Sequence, residues 1–185
     1  MSKYNFDEVF GFETDTVWGI GCHPLSETAV DRIYELKGRD KDKPLILMSS
    51  KFEYLKPYIK TIPDYAAGLI KKYFPGGLTL IFEKSEICPY FITSNKETVG
   101  IRIPNHKGFQ NLADEIEGKV LATTSLNLSN CPPVQNYDEA KEKFSNTITL
   151  IKPDGSSPPP RGTASTVVLC TNETPLVLRQ GEIFI

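Results

Sequence analysis

Short apolar runs alternate with amphipathic stretches along most of this 185-residue chain. The stretch SETAVDRIYELKG, residues 26–38, predicts a helix, because a serine can cap it, apolar residues recur at helical spacing and a glycine ends it. The runs PLILM, LTLIF, VGIRI, KVLATTS, TITLI, STVVL and LVL have the pattern of buried strands. KFEYLKPYI, PDYAAGLIKKYF, NLADEIEG and YDEAKEKF predict further helices, and PDGSSPPPRG predicts a loop. This order predicts an α/β fold with a sheet of mixed direction flanked by helices.

The size and composition of the chain indicate one globular domain over residues 1–185. Hydrophobic residues make up 39% and charged residues 24%, which is ordinary for a folded protein. The net charge of −2 excludes a broadly basic surface, so any contact with RNA has to be focal. Four separated cysteines and two histidines give no metal-ligand spacing. The sequence has neither a membrane-span pattern nor a signal-peptide pattern, so we expect a cytoplasmic protein.

The first patch with side chains suited to binding or catalysis is GFETDTVWGIG, residues 11–21. It presents Thr14, Asp15 and Thr16 after an apolar pair, while Gly19 and Gly21 permit close approaches that a Cβ blocks. The pattern fits neither a dinucleotide-binding fingerprint nor a P-loop. Taken alone, it is more typical of a strand that ends in a turn, whose hydroxyls bond to their own backbone.

The second patch, KGRDKDKPL, follows the predicted helix and carries a cation at every other position. In an extended segment this alternation places Lys37, Arg39, Lys41 and Lys43 on one side, as solvated cations. An arginine fork and mobile lysines can together hold a polyphosphate. The same residues also fit a helix C-terminus, where cations stabilise the helix dipole and pair with neighbouring carboxylates at the surface.

The third patch, ATTSLNLSN, ends a predicted strand with a run of hydroxyls and amides. Because side chains alternate along a strand, Ser125 and Asn127 face the same way and offer a hydroxyl and an amide to one ligand. Strand ends are where α/β folds place their ligands. A helix N-cap or an Asx turn before the two prolines explains the pattern equally well.

The fourth patch lies in the last quarter of the chain, where RGTASTVVL and LRQG contribute Ser165, Thr166 and Arg179. A lone arginine near the end of a chain is usually a solvated surface residue. Taken alone, this patch therefore predicts a strand and no site.

Seven short motifs, taken together, carry a family resemblance. They are ETDTVWGIG, ELKGRDKDKPL, PGGLTLIF, VGIRIPNH, TTSLNLSN, ASTVV and LRQG, and the resemblance covers residues 9–181. In their order and approximate spacing they resemble the YrdC-like family, the threonylcarbamoyl-adenylate synthases. The combination of K-x-R with S-x-N, met here by Lys37, Arg39, Ser125 and Asn127, is the most specific part of the resemblance.

The resemblance implies a twisted α/β sheet around a concave, positively charged cavity. It implies a nucleotidyltransferase that makes threonylcarbamoyl-AMP from L-threonine, bicarbonate and ATP, for the N6-threonylcarbamoylation of adenosine 37 in tRNA. A tRNA-modifying threonylcarbamoyltransferase is then the expected partner, any direct RNA contact is weak, and no membrane contact is expected. Magnesium is expected with ATP and bound to its phosphates, because the sequence shows no carboxylate cluster that must hold the ion.

The same resemblance assigns roles to individual residues. Lys37 and Arg39 are the expected catalytic residues, which neutralise the ATP phosphates as pyrophosphate leaves. The expected ATP-binding residues are Lys37, Arg39, Lys41, Ser125, Asn127 and Arg179. The expected L-threonine-binding residues are Thr14, Arg102, Thr123 and Ser165, among which the Arg102 fork suits a carboxylate. No protein metal ligand and no general base are expected, so positioning and charge provide the catalysis.

This chain departs from the family pattern at three motif positions. Glu13 stands where a proline is usual, Trp18 where a tyrosine or phenylalanine is, and Leu126 where S-A-N has its alanine. These departures concern the shape of the pocket rather than the reaction. The helix that usually precedes the first turn is not expected in residues 1–7. The sequence also ends without an extra C-terminal domain, so it resembles the short, single-domain bacterial form.

Two other functions remain open from the sequence. A non-catalytic RNA-binding module can use the same basic cavity, although the acidic balance and the lack of a basic stripe with interleaved aromatics disfavour it. The second alternative is a relative that uses another acceptor, as in the carbamoyl-adenylate chemistry of hydrogenase maturation. There the same domain sits inside a much larger protein, which disfavours this alternative for a chain of 185 residues.

Overall fold

The computed structural model describes residues 3–185 and places their strands in one sheet. The strands are β1 (Val9–Phe12), β2 (Gly19–Cys22), β3 (Ile46–Ser49), β4 (Leu78–Glu83), β5 (Thr98–Arg102), β6 (Val120–Ser125), β7 (Thr149–Leu150), β8 (Thr166–Leu169) and β9 (Leu176–Arg179). The helices are α1 (Glu27–Lys37), α2 (Phe52–Leu55), α3 (Asp64–Tyr73), α4 (Tyr90–Thr93), α5 (Lys107–Glu115) and α6 (Tyr137–Phe144). Two 3-10 turns, Lys56–Tyr58 and Glu117–Lys119, follow α2 and α5.

The sheet mixes parallel and antiparallel neighbours. Its strand order is β7-β1-β2-β6-β3-β5-β4-β8-β9. The pairs β1/β7, β3/β5 and β4/β8 are parallel, and the remaining neighbours are antiparallel. This arrangement, with helices packed against it, confirms the predicted α/β fold class.

Helix α1 has the predicted caps at both ends. The Ser26 hydroxyl accepts a hydrogen bond from the backbone N–H of Ala29, and Gly38 adopts a left-handed conformation with φ of 58°. The apolar positions Val30 and Ile33 are buried against the sheet. These caps fix the point where α1 ends, and they thereby place the last helical residue, Lys37, beside the end of β6.

Strand β2 and helix α4 are elements that the sequence patterns did not predict. Strand β2 reads GIGC, and two glycines in four residues give a weak strand signal. The structure explains the glycines, because a Cβ on Gly19 would lie 2.6 Å from the Phe12 ring and one on Gly21 would lie 2.8 Å from the Thr123 methyl. Helix α4 has four residues, which is too short for a periodic pattern.

Two predicted helices have different bounds in the structure. KFEYLKPYI forms one turn of α-helix and then a 3-10 turn, because Pro57 lacks the N–H that a continuing helix needs. Helix α5 begins at Lys107, four residues before the predicted NLADEIEG segment. No helix within residues 3–185 combines the length and the apolar character that crossing a membrane requires.

Two apolar clusters cover the two faces of the sheet. The side chains of β1 point alternately to the two faces of the sheet, so Val9 belongs to the larger cluster and Phe12 to the smaller one. The larger cluster includes buried residues of α1, α3, α4 and α6, while α5 supplies Phe109 to the smaller one. Met48 of β3 packs in the smaller cluster and also lines a cavity of about 520 Å³, so this cavity opens on the face of the sheet that carries the smaller cluster.

Candidate active site

A cavity of about 520 Å³ in the described part of the chain opens to solvent. It lies over the ends of central strands and is walled by the turn after β1, the segment after α1 and the segment before β8. The charged side chains in its wall are Arg39, Lys43, Lys96, Arg102, Arg179 and Asp42. Cations therefore outnumber carboxylates around this opening.

The fold brings most of the sequence-predicted site residues to this cavity. Those in its wall are Thr14, Arg39, Arg102, Thr123, Ser125, Ser165 and Arg179. Lys37 and Asn127 lie directly behind the wall, bonded to each other and to Ser125. Lys41 lies outside the wall. The residues come from distant parts of the chain, so the sheet topology, rather than local sequence, assembles them.

One group at the cavity, here called the lysine half, consists of Arg39 and Ser125 in the wall and of Lys37 and Asn127 behind it. Lys37 is 2% exposed, and its Nζ donates to the carbonyl oxygen of Ser125 at 2.5 Å and to the carbonyl and side-chain oxygens of Asn127 at 2.8 and 2.9 Å. All three acceptors are neutral, and no carboxylate of residues 3–185 forms an ion pair with Lys37. The expectation of a solvated cation is therefore wrong for this residue.

The burial of Lys37 changes its acid–base behaviour. Removal from water disfavours the charged ammonium, and the positive charge of Arg39 disfavours it further, so the pKa of Lys37 falls from 10.5 to about 7. An anion placed in the lysine half reverses both effects. The lysine half is therefore a site whose charge state responds to an anionic ligand.

The Ser125 and Asn127 side chains share one network with Lys37. The Ser125 hydroxyl donates to Asn127 Oδ1 at 2.5 Å, and Asn127 Nδ2 donates to the carbonyl oxygens of Leu128 and Cys131. These bonds fix the direction of the amide. The two side chains lie together, but Asn127 belongs to the bend after β6, so the bend and not the predicted strand alternation brings them together. The network ties the end of α1 to the end of β6.

The segment after α1 is folded as a turn, which corrects the predicted extended arrangement of four cations on one side. Lys37 belongs to the helix, and residues 41–43 form a turn closed by a bond from the N–H of Lys43 to the carbonyl oxygen of Asp40. The alternative interpretation expected surface pairs with Asp40 and Asp42. Lys43 Nζ does lie 3.5 Å from Asp40 Oδ2, whereas Lys41 Nζ contacts Asp31 at 2.5 Å. Arg39 bends back and donates to the carbonyl oxygens of Lys43 and Pro44.

A second group at the cavity, here called the arginine half, consists of Thr14, Asp15, Thr16, Arg102 and Ser165, of which all but Asp15 line the cavity. Arg102, the last residue of β5, is 2% exposed. Its Nε donates to the carbonyl oxygen of Gly76 at 3.0 Å, one Nη donates to Thr16 Oγ1 at 2.7 Å, and the other donates to Asp15 Oδ1. Burial lowers the pKa of Arg102, and the Asp15 carboxylate opposes that effect. The buried charge is thus compensated inside the protein.

The turn that carries Thr14 is held by its own hydroxyls. Thr14 Oγ1 donates to the carbonyl oxygen of Val17 at 2.7 Å and accepts from the N–H groups of Thr16 and Val17. The structure therefore contains the self-bonded turn of the first interpretation, and the same turn lines the cavity. The geometry of residues 14–17 is thus compatible both with a self-bonded turn and with a turn that contacts a ligand.

Hydroxyl groups continue around the arginine half. Ser165 Oγ lies 2.8 Å from Thr79 Oγ1 and accepts from an Nη of Arg179 at 3.2 Å, while the Thr123 hydroxyl donates to the carbonyl oxygen of Ile46. Thr79 and Thr16 line the cavity but were not among the predicted site residues. The signal in the sequence by which Thr79 could have been found is a hydroxyl between two buried leucines in LTLIF.

The three departures from the family pattern occupy different places. Trp18 is fully buried in the wall of the cavity, and Leu126 is fully buried behind it. Glu13 faces away, into a second cavity of about 160 Å³, where its Oε2 lies 3.6 Å from His106 Nε2. Burial raises the pKa of Glu13 and lowers that of His106. Only Trp18 thus bears directly on the shape of the larger cavity.

No group of three His, Cys, Asp or Glu side chains within residues 3–185 is arranged to hold a metal ion. All four cysteines are free thiols, and burial raises the pKa of Cys22 and Cys88 to about 12 and of Cys170 to about 11. The candidate active site therefore offers cations, hydroxyls and amides. Such a set binds phosphates and carboxylates through charge and hydrogen bonds.

Comparisons with known proteins agree with this geometry. The family model Sua5_yciO_yrdC, described as "Telomere recombination", matches residues 4–181. The "Threonylcarbamoyl-AMP synthase" of Pyrococcus abyssi is 38% identical over 174 residues, which are 94% of this chain and 50% of the relative. The protein of the same name from Escherichia coli K12 is 36% identical over 149 residues, 80% of this chain and 78% of the relative.

A solved structure extends the likeness to three dimensions. The crystal structure of P. abyssi Sua5 complexed with L-threonine superimposes with a TM-score of 0.87 at 38% identity, covering 95% of this chain and 51% of that one. This chain therefore spans about half the length of the Pyrococcus relative and about three quarters of the length of the E. coli relative.

Proposed function

The chain belongs to the Sua5/YciO/YrdC family, and from this premise we propose that it is a threonylcarbamoyl-AMP synthase. The proposed reaction converts L-threonine, bicarbonate and ATP into L-threonylcarbamoyladenylate and pyrophosphate. The observation that carries the proposal is two buried cations at one cavity: Arg102 in the wall has a carboxylate partner, and Lys37 behind the wall has only neutral partners. A polyanion suits the first arrangement and a zwitterion suits the second.

The lysine half is the proposed site of the ATP phosphates. Lys37 carries no internal counter-charge, so a phosphate oxygen supplies the missing anion, and Arg39 in the wall adds a planar fork. Ser125, Asn127 and Arg179 are proposed to hold the remainder of the nucleotide. As pyrophosphate leaves, negative charge builds on its oxygens, and preorganised cations stabilise that change.

The arginine half is the proposed site of L-threonine. Asp15 already balances the charge of Arg102, so a ligand with no net charge binds without leaving an unpaired ion. Three N–H groups of Arg102 are bonded to the protein, and its other two remain for the carboxylate of the amino acid. Thr14, Thr123 and Ser165 provide hydroxyls around the same space.

The proposed chemistry needs no protein nucleophile. The amine of L-threonine takes up carbon dioxide derived from bicarbonate and becomes a carbamate. A carbamate oxygen then attacks the α-phosphorus of ATP, a P–O bond forms, and the bond to pyrophosphate breaks. The two halves of the cavity contribute by holding the reactants in line, which replaces a costly encounter between separate molecules.

Magnesium is proposed to accompany ATP on its phosphates. Within residues 3–185 the chain offers no ligand cluster for the ion, and the only carboxylate in the cavity wall is Asp42. Bound magnesium supplies additional positive charge beside the phosphates. The proposed biological setting is the cytoplasm, where a tRNA-modifying threonylcarbamoyltransferase uses the product for N6-threonylcarbamoylation of adenosine 37.

The test is pyrophosphate release by the purified protein supplied with ATP, magnesium, bicarbonate and L-threonine. We expect release to require both L-threonine and bicarbonate, because without the carbamate no nucleophile reaches the α-phosphorus. L-Serine lacks one methyl group, which is typically worth about 1–3 kcal/mol, so we expect it to be poorer by roughly 10- to 200-fold. Release that continues in carbon-dioxide-depleted buffer contradicts the proposal.

A pair of lysine variants provides the control. Lys37→Met removes the buried cation, whereas Lys60→Met removes an exposed lysine paired with Glu83 outside the cavity. We expect release to be lost in the first variant and retained in the second. If neither variant nor the wild-type protein releases pyrophosphate, but the protein is stabilised by RNA alone, the RNA-binding alternative replaces the synthase.

A further inference from the structure

Arg161 connects the turn of the arginine half to the C-terminal segment of the chain. Its Nε donates to Glu182 Oε2 at 2.6 Å, and its Nη2 lies 3.7 Å from Asp15 Oδ2. The backbone beside it is bonded to the same turn, from the N–H of Arg161 to the carbonyl oxygen of Asp15 and from the N–H of Gly162 to that of Thr16. The side chain is 48% exposed and does not line the cavity.

The contact between Arg161 and Asp15 involves the second carboxylate oxygen of Asp15. Asp15 Oδ1 accepts from Arg102, whereas Oδ2 is buried and has no hydrogen-bond partner within the described residues. A buried acceptor without a donor is costly, so the carboxylate is under pressure to find one. Arg161 Nη2 lies 3.7 Å from this oxygen, and Arg102, which already binds Oδ1, is the other cation beside the carboxylate.

The choice between these donors decides what Arg102 can offer to a ligand. Arg102 has five N–H groups, and three are bonded to Gly76, Thr16 and Asp15. If Asp15 rotates so that both of its oxygens bind Arg102, it takes one of the two remaining N–H groups. If Asp15 Oδ2 binds Arg161 instead, both remain for the cavity.

We infer that Arg161 is a positioning residue for the amino-acid substrate, and this inference rests on the proposed function. Arg161 holds Asp15 on a single N–H of Arg102 and thereby keeps the Arg102 fork open to the carboxylate of L-threonine. It acts through Asp15, at a distance from the ligand.

The test separates the contact with Asp15 from the contact with Glu182. Arg161→Ala removes both, Glu182→Gln removes only the charge of Glu182, and Arg161→Lys keeps a cation near Asp15. L-Threonine binding is measured by calorimetry, and KM values for L-threonine and ATP are measured by pyrophosphate release. We expect Arg161→Ala to weaken L-threonine binding about tenfold, as for one charged hydrogen bond, with the KM for ATP within twofold.

The two remaining variants sharpen this expectation. We expect Arg161→Lys to recover part of the L-threonine affinity and Glu182→Gln to bind L-threonine as the wild type does. Equal losses in Arg161→Ala and Glu182→Gln, with no further loss in the double variant, overturn the inference, because Arg161 then only anchors the C-terminal segment. Equal increases in both KM values overturn it too.

The outcomes also distinguish this inference from the proposed function. A wild-type protein that binds L-threonine and releases pyrophosphate, together with an unchanged Arg161→Ala variant, overturns the role of Arg161 alone. A wild-type protein that does not bind L-threonine overturns both.

Discussion

The lysine half and the arginine half of the cavity both bury a cation, but they balance its charge in different ways. Lys37 donates to three neutral oxygens, and its pKa falls to about 7 because burial disfavours the charge. Arg102 is equally buried but bonds to the Asp15 carboxylate. The first arrangement leaves a charge for a ligand to balance, and the second is already balanced.

The difference in charge compensation determines which ligand each half can accept. A buried cation without a counter-ion costs several kcal/mol, so an incoming phosphate gains by restoring the balance. A buried ion pair has no such need, and an anion bound there would leave one charge uncompensated unless it carried its own cation. An amino acid carries both charges. The comparison therefore supports a triphosphate and an amino acid as neighbours in one cavity.

Substitutions in the two halves are expected to differ most in their effect on the stability of the fold. Asp15→Asn removes the counter-charge of Arg102 and leaves a buried guanidinium unpaired, which typically costs about 3–5 kcal/mol. Lys37→Met instead removes an unpaired charge and keeps the hydrocarbon chain. We expect Asp15→Asn to lower the free energy of unfolding by that amount and Lys37→Met to change it by less than about 1 kcal/mol, in urea titrations near pH 7.

Equal destabilisation by the two substitutions contradicts the comparison. In that case the hydrogen bonds of Lys37, rather than its charge, determine how much the residue contributes to stability. The Lys60→Met variant serves as the reference for an exposed lysine.

The next prediction concerns catalysis, in which substitution of Lys37 is expected to have a large effect although its effect on stability is small. We expect Lys37→Met to lower kcat/KM for pyrophosphate release by about 2–4 kcal/mol, roughly 10²- to 10³-fold, as for the loss of one preorganised donor. The reason is that the charge on the leaving pyrophosphate grows in the transition state. Lys37→Arg keeps a cation and is expected to retain more activity than Lys37→Met. A variant without the cation that keeps near-normal turnover excludes Lys37 from the phosphate site.

The sequence pointed to most members of each half, although not to Asp15 or Thr16 as site residues, and it gave no sign of this difference between the halves. The K-x-R and S-x-N motifs pointed to Lys37 and Ser125, and their resemblance to a known family supplied the roles. The burial of Lys37 depends on a carbonyl oxygen 88 residues further along the chain. The pairing of Arg102 with Asp15 spans 87 residues. Charge compensation is a property of contacts between strands, and spacing along the sequence carries no record of it.

The fold shows the same boundary between local and non-local information. Helix α1 was predictable because its caps and apolar period lie within 13 residues of sequence. Strand β2 was not, since its glycines are explained only by the Phe12 and Thr123 side chains packed over them. The segment after α1 has alternating cations, and no local pattern distinguishes an extended run from the turn that forms.

A smaller effect follows from the pKa of Lys37. As the pH rises from about 7 to 10, the lysine loses its proton in the free protein, whereas a lysine with the ordinary pKa of 10.5 stays charged. Bound phosphates favour the ammonium form and raise the pKa, so ATP binding takes up as much as about one proton in this range. ATP affinity then falls as the pH rises, by at most about tenfold per pH unit. Calorimetry in buffers of different ionisation enthalpy measures the uptake.

The arginine half provides the control for this measurement. Binding of L-threonine should take up no comparable proton, because the guanidinium of Arg102 stays charged throughout this pH range. Lys37→Arg should abolish the uptake for ATP while leaving binding detectable. Proton uptake on ATP binding that persists in Lys37→Arg assigns the titration to another group and removes the distinction between the two halves.

The smallest expected effect concerns Lys41, which the family resemblance assigns to ATP and the structure places at the surface with Asp31. Its side chain is 69% exposed, so its charge is already solvated and binding a phosphate gains little. We expect Lys41→Met to change the KM for ATP by less than about threefold, in contrast to Lys37→Met. An increase of tenfold or more would mean that Lys41 leaves Asp31 and reaches the triphosphate. Asp31→Asn then decides the matter, because releasing Lys41 from its partner lowers the KM for ATP only if the lysine moves to the phosphates. The lysine half would in that case combine one fixed, buried cation with one mobile, solvated cation, and the arginine half would remain the rigid side of the cavity.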